Sequence, residues 1–180
     1  HPIPHNDEDV LLMDELSHNT GMVSVVVKQV PNCPYIFPND PKQMRRGEDN
    51  FIAQTWREYI DDPEHRPDWL ALMPMTKSGF QAMRAAEEFM AEKGISQQID
   101  GWTVSGASKR GWTSLLMSGI ECETCSKIIA TMPVVPVVPD LILDLHRQWQ
   151  SYNGFTFALQ PYMDVGLMTE IDGPEMVEAF

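Results

Sequence analysis

Ser108 is the one serine in this chain whose setting suits a nucleophile. It lies in Trp102-Thr103-Val104-Ser105-Gly106-Ala107-Ser108-Lys109-Arg110-Gly111-Trp112, an apolar run that breaks at Gly-Ala-Ser and continues at helical spacing. A serine on a sharp turn from a buried strand into a helix has its hydroxyl lifted to the C-terminal edge of the sheet. The same bend aims the backbone N–H of Lys109, and the positive end of the new helix dipole, at the place where an oxyanion would develop. The chemistry this spacing would serve is attack on an ester or amide carbonyl.

The full pattern for such a turn is G-x-S-x-G. Here the second glycine, Gly111, comes one place late, and Arg110 fills a position that normally takes a small residue. A plainer reading stays open: Ser105 and Ser108 cap a helix that starts at Lys109, since serine is a favoured N-cap. Capping alone leaves the small residues Gly106 and Ala107 unexplained. The side chains of Lys109 and Arg110 either draw an anionic substrate or serve the helix surface. The chain holds 26 acidic and 13 basic residues, so an ion pair is expected for Arg110, and solvation for Lys109.

Other reactive residues are few. Cys122 and Cys125 form Cys-Glu-Thr-Cys after the helix that follows Ser108, and Cys33 stands alone between prolines. A lone CxxC fits half a zinc site, a redox pair or a small disulfide loop. Zinc needs four ligands, and no second CxxC or histidine pair is present. No metal and no cofactor are therefore expected, and two buried or disulfide-bonded cysteines are favoured. His146 is the one histidine after Ser108. It is expected to be a surface or cap residue, because the serine–acid–histidine order fails. His1, His5, His18 and His65 precede the serine and receive no role.

Several elements must position the serine. A helix-like stretch covers Val10 to Leu16. Met22 to Val30 is β-branched and nearly continuously apolar, which predicts a strand buried on both faces. A Pro/Asn/Asp-rich loop follows to about Gly47. A helix then opens on Glu48 and Asp49 and carries Phe51, Ile52, Thr55, Trp56, Tyr59 and Ile60 on one face. Pro67 to Met75 is expected to be a loop, with Thr76 capping a helix from Lys77 to Lys93 that Gly94 ends. Ile99 to Ser105 reads as the strand entering the turn, and Lys127 to Val135 as the next buried strand. Strands alternating with helices call for a parallel sheet flanked by helices, an α/β class.

Beyond Pro139 the character changes. Asp140 to Asn153 is an amphipathic helix, and Gly154 to Tyr162 is rich in aromatics. The two readings of this segment are a cap over the serine and ordinary core packing. The expected organisation is one partial domain, with core elements in 1–138 and a cap-like helical segment in 139–180.

Charge and length exclude some functions. A net charge of −13 argues against nucleic acid as a partner, since phosphate contacts need clustered Lys and Arg. No apolar run reaches 18 residues, so no transmembrane segment is expected. The chain has 180 residues, 43% hydrophobic, enough for one core. It opens at His1 and stops mid-pattern at Glu178-Ala179-Phe180, which points to a processed chain or a fragment.

Gly106-Ala107-Ser108-Lys109-Arg110-Gly111-Trp112-Thr113 resembles the signature of the PhoPQ-activated pathogenicity-related and autocrine proliferation repressor family. Gln29-Val30-Pro31-Asn32, Thr55-Trp56, Met73-Pro74-Met75-Thr76-Lys77 and Ser151-Tyr152-Asn153-Gly154-Phe155-Thr156-Phe157-Ala158 match it in the same order. The resemblance implies a partial α/β-hydrolase fold with Ser108 as nucleophile and the Lys109 N–H as oxyanion donor. It implies that Arg110 beside the serine is a family habit. It also implies that the triad acid and histidine lie in a later portion, that the second oxyanion donor comes from an upstream loop, and that this chain alone is inactive. The partner is then a small-molecule or peptide substrate of an extracellular, secreted hydrolase. The alternative is a secreted growth-regulating protein that uses the scaffold to bind a cell-surface receptor.

Overall fold

The computed structural model describes residues 6–64, 68–120, 127–136 and 140–179. Its elements in chain order are α1 (Glu8–Thr20), α2 (Glu48–Asp61), α3 (Leu72–Glu92), β1 (Trp102–Ala107), α4 (Lys109–Gly119), β2 (Ile128–Val134), α5 (Leu141–Tyr152), α6 (Gln160–Asp164) and α7 (Pro174–Ala179). Single 3₁₀ turns, Phe157–Leu159 and Leu167–Thr169, flank α6. Strands β1 and β2 pair in parallel, with Val104 opposite Thr131 and Ala107 opposite Val134. Two parallel strands need a crossover, and α4 is that connection. The chain is thus a mixed helix–strand protein around a small parallel sheet among the described residues.

The helices begin and end where local chemistry dictates. Asp7 caps α1 by accepting from the Val10 amide at 3.2 Å. Asp140 caps α5 by accepting from the Leu143 amide at 2.9 Å, and Asn153 closes it in the left-handed conformation at φ 52°. Gly94, at φ 68°, follows α3 in the conformation that glycine adopts most easily.

Two apolar clusters hold the elements. The larger joins Ile52, Ala53, Trp56 and Ile60 of α2 to Leu141 and Leu145 of α5, then to Tyr162, Leu167, Ile171 and Met176. Segment 140–179 therefore shares a core with α2. The smaller cluster sets Met83 of α3, Trp102 of β1 and Met117 of α4 against one face of the sheet. Thr103, Ser105, Ala107, Ala130, Met132 and Val134 lie on the opposite face, exposed.

Three expectations are corrected. Met22 to Val30 forms no strand; Met22, Val25 and Val27 are exposed, and only Val30 reaches the main core. A β-branched run becomes a strand only when a neighbour pairs with it, and none of the described residues does so. Lys28 instead ties this run to α1, with Nζ 3.1 Å from Asp7 Oδ1 and 2.7 Å from Asp9 Oδ2. Helix α3 begins at Leu72 and includes Pro74 in its first turn, where a missing N–H does no harm. Thr76 is accordingly a buried interior residue whose hydroxyl donates to Leu72 O at 2.7 Å, not a cap.

Candidate functional site at the β1–α4 turn

Ser108 is the single residue between the end of β1 and the start of α4. Its backbone sits at φ 55°, ψ −120°, a conformation that side-chain-bearing residues rarely adopt. The residue is exposed, and its side chain makes no capping hydrogen bond to α4. Ser108 thus holds the N-cap position of α4, but its side chain does not do the capping. Ser105 does not do it either: it lies within β1, and its hydroxyl donates across the sheet to Met132 O at 2.7 Å.

The turn is held from both sides. The Ser108 amide donates to Val134 O at 2.8 Å, so β2 fixes the point where the chain leaves the sheet. The Ser108 carbonyl accepts from the Trp112 amide at 3.1 Å and opens the helical ladder. The first amides of α4, starting at Lys109, have no acceptor within the helix and point out of its N-terminal end.

Two glycines make this close approach sterically feasible. A Cβ on Gly106 would lie 2.5 Å from Arg110 O and 2.7 Å from Arg110 Cβ. A Cβ on Gly111 would lie 2.9 Å from Gly106 O and 3.1 Å from Val134 O. Gly111 therefore does the packing that a glycine two places after the serine would otherwise do. Arg110 fits because Gly106 opposes it with no side chain, and its guanidinium extends away from the strand.

That side chain reaches α2. Arg110 grips Glu48 with two parallel bonds, Nη1 to Oε1 at 2.8 Å and Nη2 to Oε2 at 2.7 Å. The ion pair expected for Arg110 is present. Solvation of Lys109 is corrected: its Nζ lies 2.7 Å from Asp49 Oδ1 and 3.8 Å from Glu48 Oε1. The acidic first turn of α2 thus serves two purposes, complementing its own dipole and pinning the start of α4. Tyr162 OH adds a longer contact to Asp49 at 3.5 Å. Burial first, and then the Asp49 carboxylate, push the Tyr162 phenol well above the usual tyrosine range.

Cys33 belongs to the same neighbourhood. Burial raises its thiol above the ordinary value, Glu48 adds to the rise, and Arg110 opposes it. Its thiol forms no disulfide among the described residues. Cys122 and Cys125 lie outside the described residues, as do His1, His5 and His65. His18 sits in the last turn of α1. His146, on α5, lies with Nε2 2.7 Å from Asp172 Oδ1, a pairing that its sequence setting did not announce. No group of three or more His, Cys, Asp or Glu side chains suited to a metal occurs among the described residues. No helix among them is long and apolar enough to cross a membrane.

A parallel strand pair, a helix packed closely on it at Gly106 and Gly111, and an exposed serine at positive φ make up the candidate site of a mixed helix–strand protein. The sequence profile of the PhoPQ-activated pathogenicity-related proteins matches residues 2–179, and the chain belongs to that family. It is similar to autocrine proliferation repressor protein A of Dictyostelium discoideum, with 39% identity over 160 residues. The match takes in 89% of this chain and 31% of that protein, so the chain spans about a third of the relative's length. No solved structure matches it.

Proposed function

We propose that the protein is a serine hydrolase of the α/β-hydrolase type, with Ser108 attacking an ester or amide carbonyl. The observation that carries this reading is the backbone of Ser108: a non-glycine residue at φ 55°, exposed, between a strand and a helix. Strain of this kind costs roughly 1–3 kcal/mol and persists where the surroundings enforce it. The nucleophile turn of α/β-hydrolases is such a place. In this reading the Lys109 N–H donates to the developing oxyanion, worth on the order of 100-fold or more in rate. Residues 139–180 act as the cap-like segment, and the protein works outside the cell.

A histidine must take the hydroxyl proton. A triad histidine turns Nε2 toward its serine, whereas that nitrogen of His146 contacts Asp172. The base is then not His146 but a histidine in the later portion of the protein that the family resemblance implies. A suitable test is hydrolysis of an activated acyl ester by the full-length protein. Turnover that Ser108→Ala lowers by at least about 1000-fold supports the reading; turnover unaffected by that change removes it.

A second reading rests on the relative's name. A protein similar to a proliferation repressor would use the same scaffold to bind a cell-surface receptor, since a fold does not fix its activity. It predicts growth regulation that persists unchanged in Ser108→Ala.

A further inference from the structure

We infer that the Ser108 site takes an uncharged ester or amide with an apolar acyl group, and discriminates against anionic substrates. The inference rests on Ser108 being the nucleophile. Its two cationic neighbours, Lys109 and Arg110, would by sequence make an anion-attracting pair. Both are instead spent on carboxylates: Arg110 on Glu48 at 2.7 and 2.8 Å, and Lys109 on Asp49 at 2.7 Å. Two positive charges face two negative ones, so the side chains at this edge carry no net positive charge. The 180 residues that surround this edge carry a net charge of −13, which disfavours the approach of an anion to this part of the protein.

The other edge is apolar. The Ser108 amide is bonded to Val134 O at 2.8 Å, which brings β2's end beside the serine. Val134 is 48% exposed and Val135, immediately beyond it, 74% exposed. Ala107, the residue before Ser108, is exposed on the same sheet face as Val134. A hydrocarbon acyl chain laid on this strip would remove apolar surface from water. A carboxylate there would lose hydration and meet no free cation among these side chains.

The test compares an uncharged alkyl fluorophosphonate with one of equal length ending in a carboxylate, on the full-length protein. Attack by Ser108 Oγ forms the O–P bond, and fluoride leaves with the electron pair of the P–F bond; the hydroxyl proton passes to the base. Second-order labelling at Ser108 should be about ten-fold faster for the uncharged probe, with the gap closing as salt is raised. Glu48→Gln, which frees Arg110, should raise the anionic probe's rate about three-fold. Val135→Lys breaks no ion pair, so it should do the same even if Glu48→Gln fails to fold. Labelling that is equal or faster with the anionic probe in the unaltered protein overturns the inference and leaves Ser108 a nucleophile. Labelling by neither probe overturns the hydrolase reading and the inference with it.

Discussion

The Ser108 amide and the Val134 carbonyl, 2.8 Å apart, tie the residue just after β1 to the end of β2, where the chain turns into α4. This bond spans the crossover connection itself. It locks the turn to the strand on the far side of α4, so the serine cannot relax without unpairing the sheet edge. Gly111 packs on the same carbonyl, which couples helix, turn and strand at one point.

Gly106→Ala and Gly111→Ala should each force α4 away from the sheet, because the added methyl meets backbone atoms that cannot rotate aside. A cost of about 1–3 kcal/mol is expected for each. At position 111 it outweighs the roughly 1 kcal/mol that alanine gains in a helix. Urea unfolding of the variants checks this, and unchanged midpoints would show that the close approach is absent.

Ser108→Gly and Ser108→Ala should separate strain from chemistry. Glycine tolerates φ 55° and should stabilise the protein by roughly 1 kcal/mol, while alanine keeps the strain and leaves stability near its original value. Thermal unfolding of both variants reads the difference. Equal stabilities would mean the backbone at this position is relaxed.

Leu145→Ala and Ile52→Ala test the shared core. Both side chains are buried, one on α5 and one on α2, in a single cluster. Each truncation should cost about 2–5 kcal/mol and lower one cooperative transition. Leu143→Ala, on the exposed side of α5, should cost no more than about 0.5 kcal/mol. Two separate transitions after Leu145→Ala would show that 140–179 folds apart from α2.

Glu87 supplies a pH dependence. Its carboxylate accepts from Lys127 Nζ at 2.6 Å and from Trp102 Nε1 at 3.1 Å. These bonds, Lys127's first, hold it below the ordinary value of 4.5. A depressed folded-state value means the contribution is fully present above about pH 4.5 and fades as the pH falls through the lower folded value. Glu87→Gln should therefore lower stability at neutral pH by no more than about 1 kcal/mol and flatten the profile below pH 4.5. Urea midpoints between acid and neutral pH measure it; parallel profiles for the two proteins would contradict it.

Much of this architecture was legible because its signals are local. Helices α2 and α5 carry their apolar residues at helical spacing, and α5 is bracketed by Asp140 and Asn153. The parallel pairing followed from strand, helix and strand in succession. What stayed hidden depends on partners distant in the chain. Lys109 and Asp49 are 60 residues apart and Arg110 and Glu48 are 62 apart, so nothing near either cation announced its carboxylate. Met22 to Val30 has strand composition, yet composition does not supply a neighbouring strand. Pro74 obscured the start of α3, because a proline in a first turn reads like one in a loop. Gly111 looked misplaced by pattern, and only its contact with Val134 shows the packing it permits.

The most direct measurement is peptide mapping of the full-length protein after exposure to an uncharged fluorophosphonate. A covalent phosphonyl group on the peptide containing Ser108, absent from Ser108→Ala, is the expected result. A folded protein that carries no adduct, or carries it on another serine, would contradict the account.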